Sequence, residues 1–412
     1  MRNYYLSLLL LAMSSVALLT ACESDVYNPD NTKVENTKDL IAPSDFDWKM
    51  TSSTKCTITS PVTTTVSVYT DAACTNKSLL IENLLLTANE AKELTLEVPS
   101  YQSNIYVQYS TADGKKVLEG KINATTRNKD EDIILILPGD VIMAGDNVFD
   151  YFYYPSKEGQ GTLMFEDLYP ALGDYDFNDF VIGYNVATFM SRGAGNYDGF
   201  TMTFKIRAMG GSLPYRPALR LKGFPMSALT NADIAFESTR DGISMELALG
   251  RSGNQDVIFI INGTEKLRNN GFFNTDPEKD IDTDLPIITC KVRKNNFNDK
   301  VSGGQYSYLA QSLPKYFDFF LQNTSTKDEI HFKGFNPTDM SDMDPNTEFI
   351  HDGRKLVWAI AVPEEIAYPK EKVDILDVFK GHFQSWVSSG GGKQHADWYK
   401  KPVKEEGLFK FE

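Results

Sequence analysis

The chain has 412 residues, which exceeds the length at which one hydrophobic core usually stops growing, so we expect two folded units with terminal extensions. Hydrophobic residues make up 42% and charged residues 24% of the sequence, a composition that excludes a chain disordered throughout. The formal net charge of −15 repels the phosphates of nucleic acids and anionic lipid headgroups, which makes nucleic acid a poor partner.

The first predicted element is a lipoprotein signal peptide over residues 1–21. Arg2 precedes a mostly apolar run from Tyr4 to Leu19, which is shorter than the roughly 20 residues that a membrane-spanning helix needs. Small residues before Cys22 are typical of a lipoprotein cleavage site, so Cys22 becomes the acylated first residue of the mature chain. The alternative is an ordinary secretory signal in which this cysteine is incidental.

Residues 22–45 form a predicted acidic, polar tether behind the acylated cysteine. Glu23, Ser24 and Asp25 create an acidic patch that resembles the signal sending certain Gram-negative lipoproteins to the outer face of the outer membrane. The sequence therefore predicts a protein that is anchored in the outer membrane through its acyl chains and faces the cell exterior. A solvated linker whose acidic residues are coincidental is the alternative.

Residues 46–138 form a predicted small β-sandwich that serves as a spacer. Strand-favouring residues alternate with Thr and Ser from Lys55 to Tyr69. Similar runs, divided by turn signals, follow at Leu94–Val98, Ile105–Tyr109, Val117–Ile122 and Ile133–Leu137. About six short strands in such a segment are typical of an immunoglobulin-like sandwich.

Three cysteines remain once Cys22 is lipidated, in a compartment that permits disulfides. Cys56 and Cys74 lie in one predicted domain with a short segment between them, so we expect these two to form a disulfide. The bond requires that their Cα atoms come within about 7 Å. Cys290 lies in a strand-like run and is predicted to be a buried thiol.

Residues 139–412 form a predicted larger β-sandwich of jelly-roll-like type. Its strand-like runs are Phe180–Phe189, Phe200–Ala208, Val257–Ile261, Ile287–Val292, Tyr316–Leu321 and Leu356–Val362. Near-helical spacing of apolar residues predicts one C-terminal helix within Lys370–Ser388. The predicted fold class is therefore all-β and mainly antiparallel, with a small sandwich followed by a larger one.

Two segments of this larger unit resemble the LruC domain, a family common in bacterial surface lipoproteins. The first contains Phe165-Glu166-Asp167-Leu168 and then Gly173-Asp174-Tyr175-Asp176-Phe177-Asn178-Asp179-Phe180-Val181. The second contains Trp358-Ala359-Ile360, Tyr368-Pro369, Val373-Asp374-Ile375-Leu376, Trp386 and His395-Ala396-Asp397-Trp398-Tyr399. The likeness spans residues 139–399 and implies a β-rich extracellular domain. It implies no activity, because the family has no established substrate or catalytic residues.

Alternating oxygen-bearing side chains in the first of these segments predict a cation site. Asp174, Asp176 and Asn178 have the spacing that starts an EF-hand loop, and calcium binds six to eight oxygens. The sequence departs from the EF-hand after this point, because Asp179 stands where glycine is needed. The predicted ligands of a structural calcium ion are Glu166, Asp167, Asp174, Asp176, Asn178 and Asp179. An Asx-rich turn whose carboxylates accept backbone N–H groups is the alternative.

Other acidic and aromatic clusters have simpler interpretations. Two acidic loops, Asp276–Asp284, which contains Pro277, and Asp339–Asp344, which is followed by Pro345, are predicted to be solvated. Aromatic residues gather in residues 149–154 and 386–399, where exposed rings would stack on sugars and buried rings would belong to the core. Motifs of nucleophilic, zinc-dependent and nucleotide-binding enzymes are absent from the sequence, and its four histidines are scattered.

These features favour a lipid-anchored, non-enzymatic surface protein whose calcium-stabilised sandwich binds a glycan or a protein, as a binding or adhesion module. Two alternatives stay open. A surface glycan hydrolase needs only two carboxylates that meet in a groove beside exposed rings. A fimbria-like structural subunit would instead present an unpaired hydrophobic strand edge for assembly by strand addition.

Overall fold

The structure of the protein, a computed structural model, describes residues 34–122, 132–143, 149–192, 197–248, 256–268, 271–295 and 313–410. The predicted signal peptide, the lipidation site Cys22 and the first half of the predicted tether, residues 22–33, lie outside the described residues. The chain divides into two compact units, residues 1–35 and residues 36–412, and the fold below is that of the second unit. Within the described ranges, no helix is long and apolar enough to cross a membrane.

The predicted spacer contains seven described strands: β1 Thr51–Thr59, β2 Thr64–Tyr69, β3 Leu79–Leu86, β4 Ala91–Pro99, β5 Asn104–Thr111, β6 Gly114–Lys121 and β7 Ile133–Ile136. The predicted run from Lys55 to Tyr69 is divided into β1 and β2, because Pro61 has no N–H to donate to a sheet. Sequence analysis missed β3, whose mostly apolar residues lack the alternation of a half-buried strand.

The larger unit contains further strands: β8 Phe149–Tyr154, β9 Gly161–Phe165, β10 Phe180–Ser191, β11 Tyr197–Ala208, β12 Tyr215–Pro225, β13 Ile234–Ser238, β14 Ser244–Ala248, β15 Asp256–Asn262, β16 Ile287–Asn295, β17 Phe317–Asn323, β18 Glu329–His331, β19 Ala359–Val362, β20 Tyr368–Pro369 and β21 Leu408–Phe409. Its α-helices in the described ranges are α1 Leu313–Tyr316, α2 Ile375–Phe379 and α3 His382–Ser388. The predicted C-terminal helix within Lys370–Ser388 is present as two short helices, α2 and α3, and not as one. The helical backbone is interrupted between α2 and α3 at Gly381, whose positive φ of 84° is one that glycine adopts readily.

An eleven-stranded sheet runs through both predicted sandwiches, in the order β13-β16-β11-β10-β8-β3-β2-β5-β6, with β9 paired to β10 and β19 paired to β9. A three-stranded sheet, β4-β1-β7, and a five-stranded sheet, β14-β15-β12-β17-β18, complete the two sandwiches. Only β1 and β7 pair in parallel among the named strands of the described residues. The predicted all-β, mainly antiparallel fold class is confirmed.

Two hydrophobic cores lie along this sheet. The first core packs Cys56, Leu84, Val107 and Ile133 between the three-stranded sheet and one end of the long sheet, whereas the second packs residues such as Phe204, Phe259 and Trp358 at the other end. The two ends are joined where β3 pairs with β8 at Ile81 and Phe152. Val141 and Phe152 follow the predicted boundary after residue 138 but still pack in the first core, and the long sheet continues across the boundary.

The segment before β1 packs against the C-terminal part of the chain. The backbone N–H of Thr37 donates to Asp374 Oδ2 at 2.8 Å, and the N–H of Ala42 donates to the carbonyl of Arg354 at 2.9 Å. The Trp48 ring lies edge to face with Trp386 at 5.6 Å. Residues 36–45, which the sequence assigns to the tether, therefore belong to the folded unit.

The structure contradicts the predicted disulfide, because Cys56, Cys74 and Cys290 are all free thiols. Cys56 points into the first core, where it is paired across the sheet with Leu94. Cys74 lies in the turn after β2, and its φ of 54° belongs to a tight reversal at the edge of the sandwich. Proximity in sequence did not bring the two sulfur atoms together, since one residue faces the core and the other is partly exposed.

Candidate metal centre

The loop between β9 and β10 is tightly curled, because alternate residues adopt a left-handed backbone. Tyr175 has a φ of 57° and Phe177 a φ of 51°. This conformation costs roughly 1–2 kcal/mol for each residue that carries a Cβ. Both side chains are buried, and their rings meet edge to face with centroids 5.6 Å apart. Burial of the two rings offsets the backbone strain and fixes the curl.

Glu166 organises this loop from the end of β9. Its Oε1 accepts the backbone N–H of Phe177 at 2.6 Å, and its Oε2 accepts that of Tyr175 at 3.2 Å. A Cβ at Gly173 would lie only 2.1 Å from Glu166 Oε2, so this position of the loop requires glycine. The fully buried carboxylate therefore shapes the loop as well as offering oxygens to a ligand.

Three of the predicted ligands converge. Glu166, Asp174 and Asp176 each offer one oxygen, and these oxygens lie within 4.8 Å of one another. Two oxygens bound to one calcium ion at about 2.3–2.6 Å are at most about 5 Å apart, so the spacing suits a shared ion. Asp174 is exposed whereas the other two are buried, which leaves the cluster open to solvent on the Asp174 side.

Part of the alternative Asx-turn interpretation also holds. Asp176 Oδ1 accepts the backbone N–H of Asn178 at 3.1 Å, as in an Asx turn. Asp176 Oδ2 accepts the N–H of Lys372 at 2.8 Å, which connects the loop to the segment after β20. Each of these oxygens keeps a further lone pair, because a carboxylate oxygen can accept more than one contact.

Negative charge accumulates in this cluster. Burial raises the pKa of Glu166 well above its usual range, and the charges of Asp179, Asp176 and Asp174 raise it further. Burial, followed by the charge of Asp174, raises the pKa of Asp176 to about 8. Buried carboxylates that repel one another are costly to ionise without a positive partner. A bound cation is one such partner.

Asn178 supplies the most informative atom of the site. Its Nδ2 donates to the carbonyl of Pro369 at 3.2 Å, which fixes the orientation of the amide. Its Oδ1 is fully buried and has no hydrogen-bond partner in the described part of the chain. A Cβ placed on Gly210 would lie 2.0 Å from Asn178 Oδ1 and 2.9 Å from Glu371 Oε2, so both oxygens approach the same point.

Sequence reasoning missed Glu371. Burial raises its pKa first, and the charge of Asp174 raises it second, which places its carboxylate near the predicted loop. The residue lies between Tyr368-Pro369 and Val373-Asp374, two of the motifs that carry the family resemblance. An acidic residue between these two motifs was the signal available from the sequence.

Asp167 and Asp179, the two remaining predicted ligands, form an adjoining pair. Asp179 Oδ2 accepts the backbone N–H of Asp167 at 2.7 Å, and Asp167 Oδ2 accepts that of Leu213 at 3.0 Å. Burial raises the pKa of both carboxyl groups, while the charge of Arg268 opposes the shift at Asp167. The two carboxylates therefore fix the backbone beside the oxygens of Glu166, Asp174 and Asp176.

A second cluster of buried charge was also missed. His331 Nδ1 lies 2.8 Å from Asp318 Oδ1, His331 Nε2 lies 3.0 Å from Glu329 Oε2, and all three residues have 0% exposure. Arg220 binds the other oxygen of Asp318 at 2.6 Å. Burial alone lowers the pKa of His331, but the two carboxylates outweigh it and raise the pKa. Both ring nitrogens are engaged inside the protein, so this cluster is structural.

The predicted aromatic clusters divide between core and surface. Trp386 and Trp398 are fully buried, with ring centroids 5.9 Å apart, and belong to the C-terminal core. On β8, the half-buried rings of Tyr151 and Tyr153 lie 6.4 Å apart and nearly parallel. Tyr153 donates its hydroxyl to Glu82 at 2.6 Å, which holds its ring in place.

Parts of the chain are similar to two family models of unknown function. Residues 64–135 match the family model DUF4841, and residues 196–399 match DUF4842. The first range lies within the predicted spacer. The second includes the C-terminal motifs and begins after the carboxylate loop. Both matches are to uncharacterised families, and the resemblance to the LruC domain stays a prediction.

The fold is shared with a solved structure, that of a candidate lipoprotein from Bacteroides ovatus. The two structures superpose with a TM-score of 0.66 at 19% sequence identity, over 85% of this chain and 100% of the other chain. This low identity shows a common fold and nothing beyond it. Among curated proteins, none matches the sequence. Nothing in these matches points to an enzymatic activity.

Proposed function

We propose that the protein is a lipid-anchored surface protein whose larger sandwich contains a structural calcium ion and acts as a non-enzymatic binding or adhesion module. One observation carries the calcium proposal: the buried Asn178 Oδ1 has no hydrogen-bond partner among the described residues and converges with Glu371 Oε2, a carboxylate that Asp174 repels. A cation gives all of these oxygens a favourable contact, whereas an empty cluster leaves the amide oxygen unsatisfied.

The donor set favours calcium among common cations. The proposed ligands Glu166, Asp174, Asp176, Asn178 and Glu371 offer only oxygen atoms, and hard cations prefer oxygen ligands. Calcium accepts irregular geometry and six to eight ligands, whereas magnesium demands a regular octahedron. Asp167 and Asp179 are not among these ligands. They fix the backbone beside the site, because their carboxylates accept the N–H groups of Leu213 and Asp167.

The ion would join two distant parts of the larger sandwich. Asn178 and Asp176 lie in the β9–β10 loop, and they hydrogen bond to Pro369 and Lys372 in the C-terminal part. Glu371 lies between those two partners. A calcium ion shared by Glu371 and the loop would strengthen the same junction, so its role is structural. At about 100 times its dissociation constant, a bound ion stabilises the fold by roughly 2.7 kcal/mol.

Calcium titration of the mature protein tests this proposal. We expect the melting temperature to rise by several degrees on addition of calcium to chelator-treated protein, and calorimetry to show saturable binding. Asp174→Asn replaces one charged ligand on the exposed side of the cluster with a neutral amide, so it should weaken binding at least tenfold without unfolding the protein. Asp113→Asn, in the exposed β5–β6 turn, is the matched control. A flat titration with wild-type protein would refute the calcium site.

The anchor is tested separately. Cys22 lies outside the described residues, and its proposed lipidation depends on the small residues that precede it. Cys22→Ala should abolish incorporation of labelled palmitate and release the protein from the membrane fraction. Protease accessibility on intact cells distinguishes an exterior orientation from a periplasmic one.

One observation favours a second candidate function, a fimbria-like structural subunit. In the described part of the chain, β7 pairs only with β1, so it forms an edge of the three-stranded sheet. Ile134 and Ile136 on this strand are 70% and 69% exposed. Apolar edge strands accept strands from other chains. Concentration-dependent light scattering that is lost in Ile134→Lys would support assembly, and a monomer at high concentration would exclude it.

A further inference from the structure

A polar cleft lies beside the carboxylate site. It has a volume of about 380 Å³ and is lined by side chains that include Arg240, Lys266, Phe272, Asp276, Asp280 and Asp282. This volume falls in the range of about 300–1,000 Å³ that is typical of small-molecule sites. The acidic residues belong to the loop Asp276–Asp284, which was predicted to be solvated. In the structure this loop forms one wall of the cleft.

The loop is fixed at its base. Asn274 Nδ2 donates to the carbonyl of Asp282 at 3.0 Å, and Asn274 Oδ1 accepts the N–H of Asp282 at 2.8 Å. The same amide donates to the carbonyl of Arg207, a buried residue of β11, at 3.1 Å. Because one side chain closes the loop and ties it to the sheet, the cleft is largely preformed and little conformational entropy is lost on binding.

The base of the cleft is also connected to the proposed calcium site. Phe273 pairs with Met209 through backbone hydrogen bonds of 2.8 and 3.0 Å, next to Gly210. The N–H of Glu371 donates to the carbonyl of Thr275 at 2.9 Å. Residues on both sides of Asn274 are thus held by the segments that surround the carboxylates.

The cleft is lined by equal numbers of basic and acidic side chains. Its basic residues are Arg240, Lys266 and Lys279, and its acidic residues are Asp276, Asp280 and Asp282. Lys279 binds Asp276 at 3.0 Å, and Arg240 lies 3.5 Å from Asp282, so these charges are largely paired within the protein. A phosphate or sulfate group would need a surplus of positive charge, which the cleft does not offer. The arrangement instead suits a neutral ligand that both donates and accepts hydrogen bonds.

We propose that this cleft binds a neutral sugar residue of a glycan chain. Sugar hydroxyl groups would donate to the exposed carboxylate of Asp280 and accept from Lys266. The ring of Phe272 is half-buried and would contact the apolar C–H face of the sugar. This inference rests on the proposed binding function and names its ligand class and its site.

Binding to an oligosaccharide array tests the proposal. The probes are neutral glucan, mannan, xylan and galactan oligosaccharides, with sulfated and uronic-acid oligosaccharides as charged counterparts. Calcium-loaded mature protein should bind at least one neutral series. Asp280→Asn and Phe272→Ala should each weaken that binding at least tenfold. Asp113→Asn controls for loss of a surface charge, and Tyr151→Ala controls for stacking on the aromatic face of β8.

Several results would overturn the proposal: no neutral oligosaccharide is bound, charged oligosaccharides are preferred, or both cleft variants bind as wild type does. If only Tyr151→Ala lost binding, the glycan would bind at β8, and the proposal of a cleft site would be overturned. Asp280 is exposed, so Asp280→Asn decides the question even where Phe272→Ala fails to fold. A calcium-induced rise in melting temperature, measured on each variant, separates failure of the cleft from failure of the calcium site.

Discussion

Tyr101 and Tyr399 donate their hydroxyl groups to the same atom, Oε1 of Glu364, with the Tyr399 contact at 2.9 Å. Lys400 Nζ lies 2.8 Å from the same carboxylate oxygen and 4.2 Å from the centroid of the Tyr101 ring. Tyr101 lies in the turn between β4 and β5, whereas its partners belong to the C-terminal part. This contact therefore joins the two sandwiches through side chains, in addition to the shared sheet.

We expect Tyr101→Phe to lower the free energy of unfolding by about 1–2 kcal/mol, because it removes one hydrogen bond to a charged group. Urea denaturation of the mature protein measures the change. Tyr106→Phe, in the adjacent strand β5, removes a hydroxyl from the same sandwich and serves as the control. Equal stability of the two variants would show that the contact with Glu364 contributes nothing.

Gly210→Ala tests the point at which Asn178 and Glu371 converge. The new Cβ would lie 2.0 Å from Asn178 Oδ1, so the amide must move away from the site. We expect a loss of about 1–3 kcal/mol in stability from overpacking, and loss of most of the calcium-induced rise in melting temperature. Gly139→Ala is the matched control, since a Cβ there meets no atom of the described residues within 4 Å. A full calcium response in Gly210→Ala would remove Asn178 from the ligand set.

The buried His331 cluster predicts a decline of stability at alkaline pH. The pKa of His331 is raised in the folded state, so the native protein keeps a proton that the unfolded chain loses near pH 6.5. The stabilisation is complete below about pH 6.5 and is lost as the pH rises through the folded-state pKa. Urea denaturation from about pH 6 to pH 9 should show this decline.

His331→Gln should lessen the alkaline decline and cost about 3–5 kcal/mol, because it leaves buried Asp318 and Glu329 without their shared imidazolium. A smaller decline should remain in calcium-free protein, because the pKa of Asp176, raised to about 8, also keeps a proton on the native state. His382→Gln, on the partly exposed start of α3, is the control and should keep the wild-type pH profile. If the free energy of unfolding declined with pH at the same slope in His331→Gln and in wild type, the decline would be due to groups other than His331.

Thiol labelling tests the correction of the predicted disulfide. Burial raises the pKa of Cys56 and of Cys290 to about 12, whereas Cys74 is partly exposed. We expect iodoacetamide to label Cys74 in the native protein, and all three thiols after unfolding without a reductant. Recovery of a linked Cys56–Cys74 peptide in non-reducing mapping would contradict the structure and restore the sequence-based prediction.

The sequence alone predicted the features that depend on neighbouring residues. The alternation in Ile105–Tyr109 and Phe200–Ala208 identified β5 and β11, because a strand with one buried face places its apolar residues two apart. The spacing of Asp174 and Asp176 indicated a carboxylate cluster, because a short loop keeps its own residues close together. Local patterns failed where apolar and polar residues do not alternate, as in β3.

Tertiary structure decided the contacts that join distant parts of the chain. Asn178 meets Pro369 across 191 residues, and this contact brings Glu371 to the carboxylate loop. The pairing of β3 with β8 placed two predicted domains in one sheet, while the core position of Cys56 separated it from Cys74. Residue spacing carries no information about such contacts, because they form only when strands far apart in sequence pair and bury their faces together.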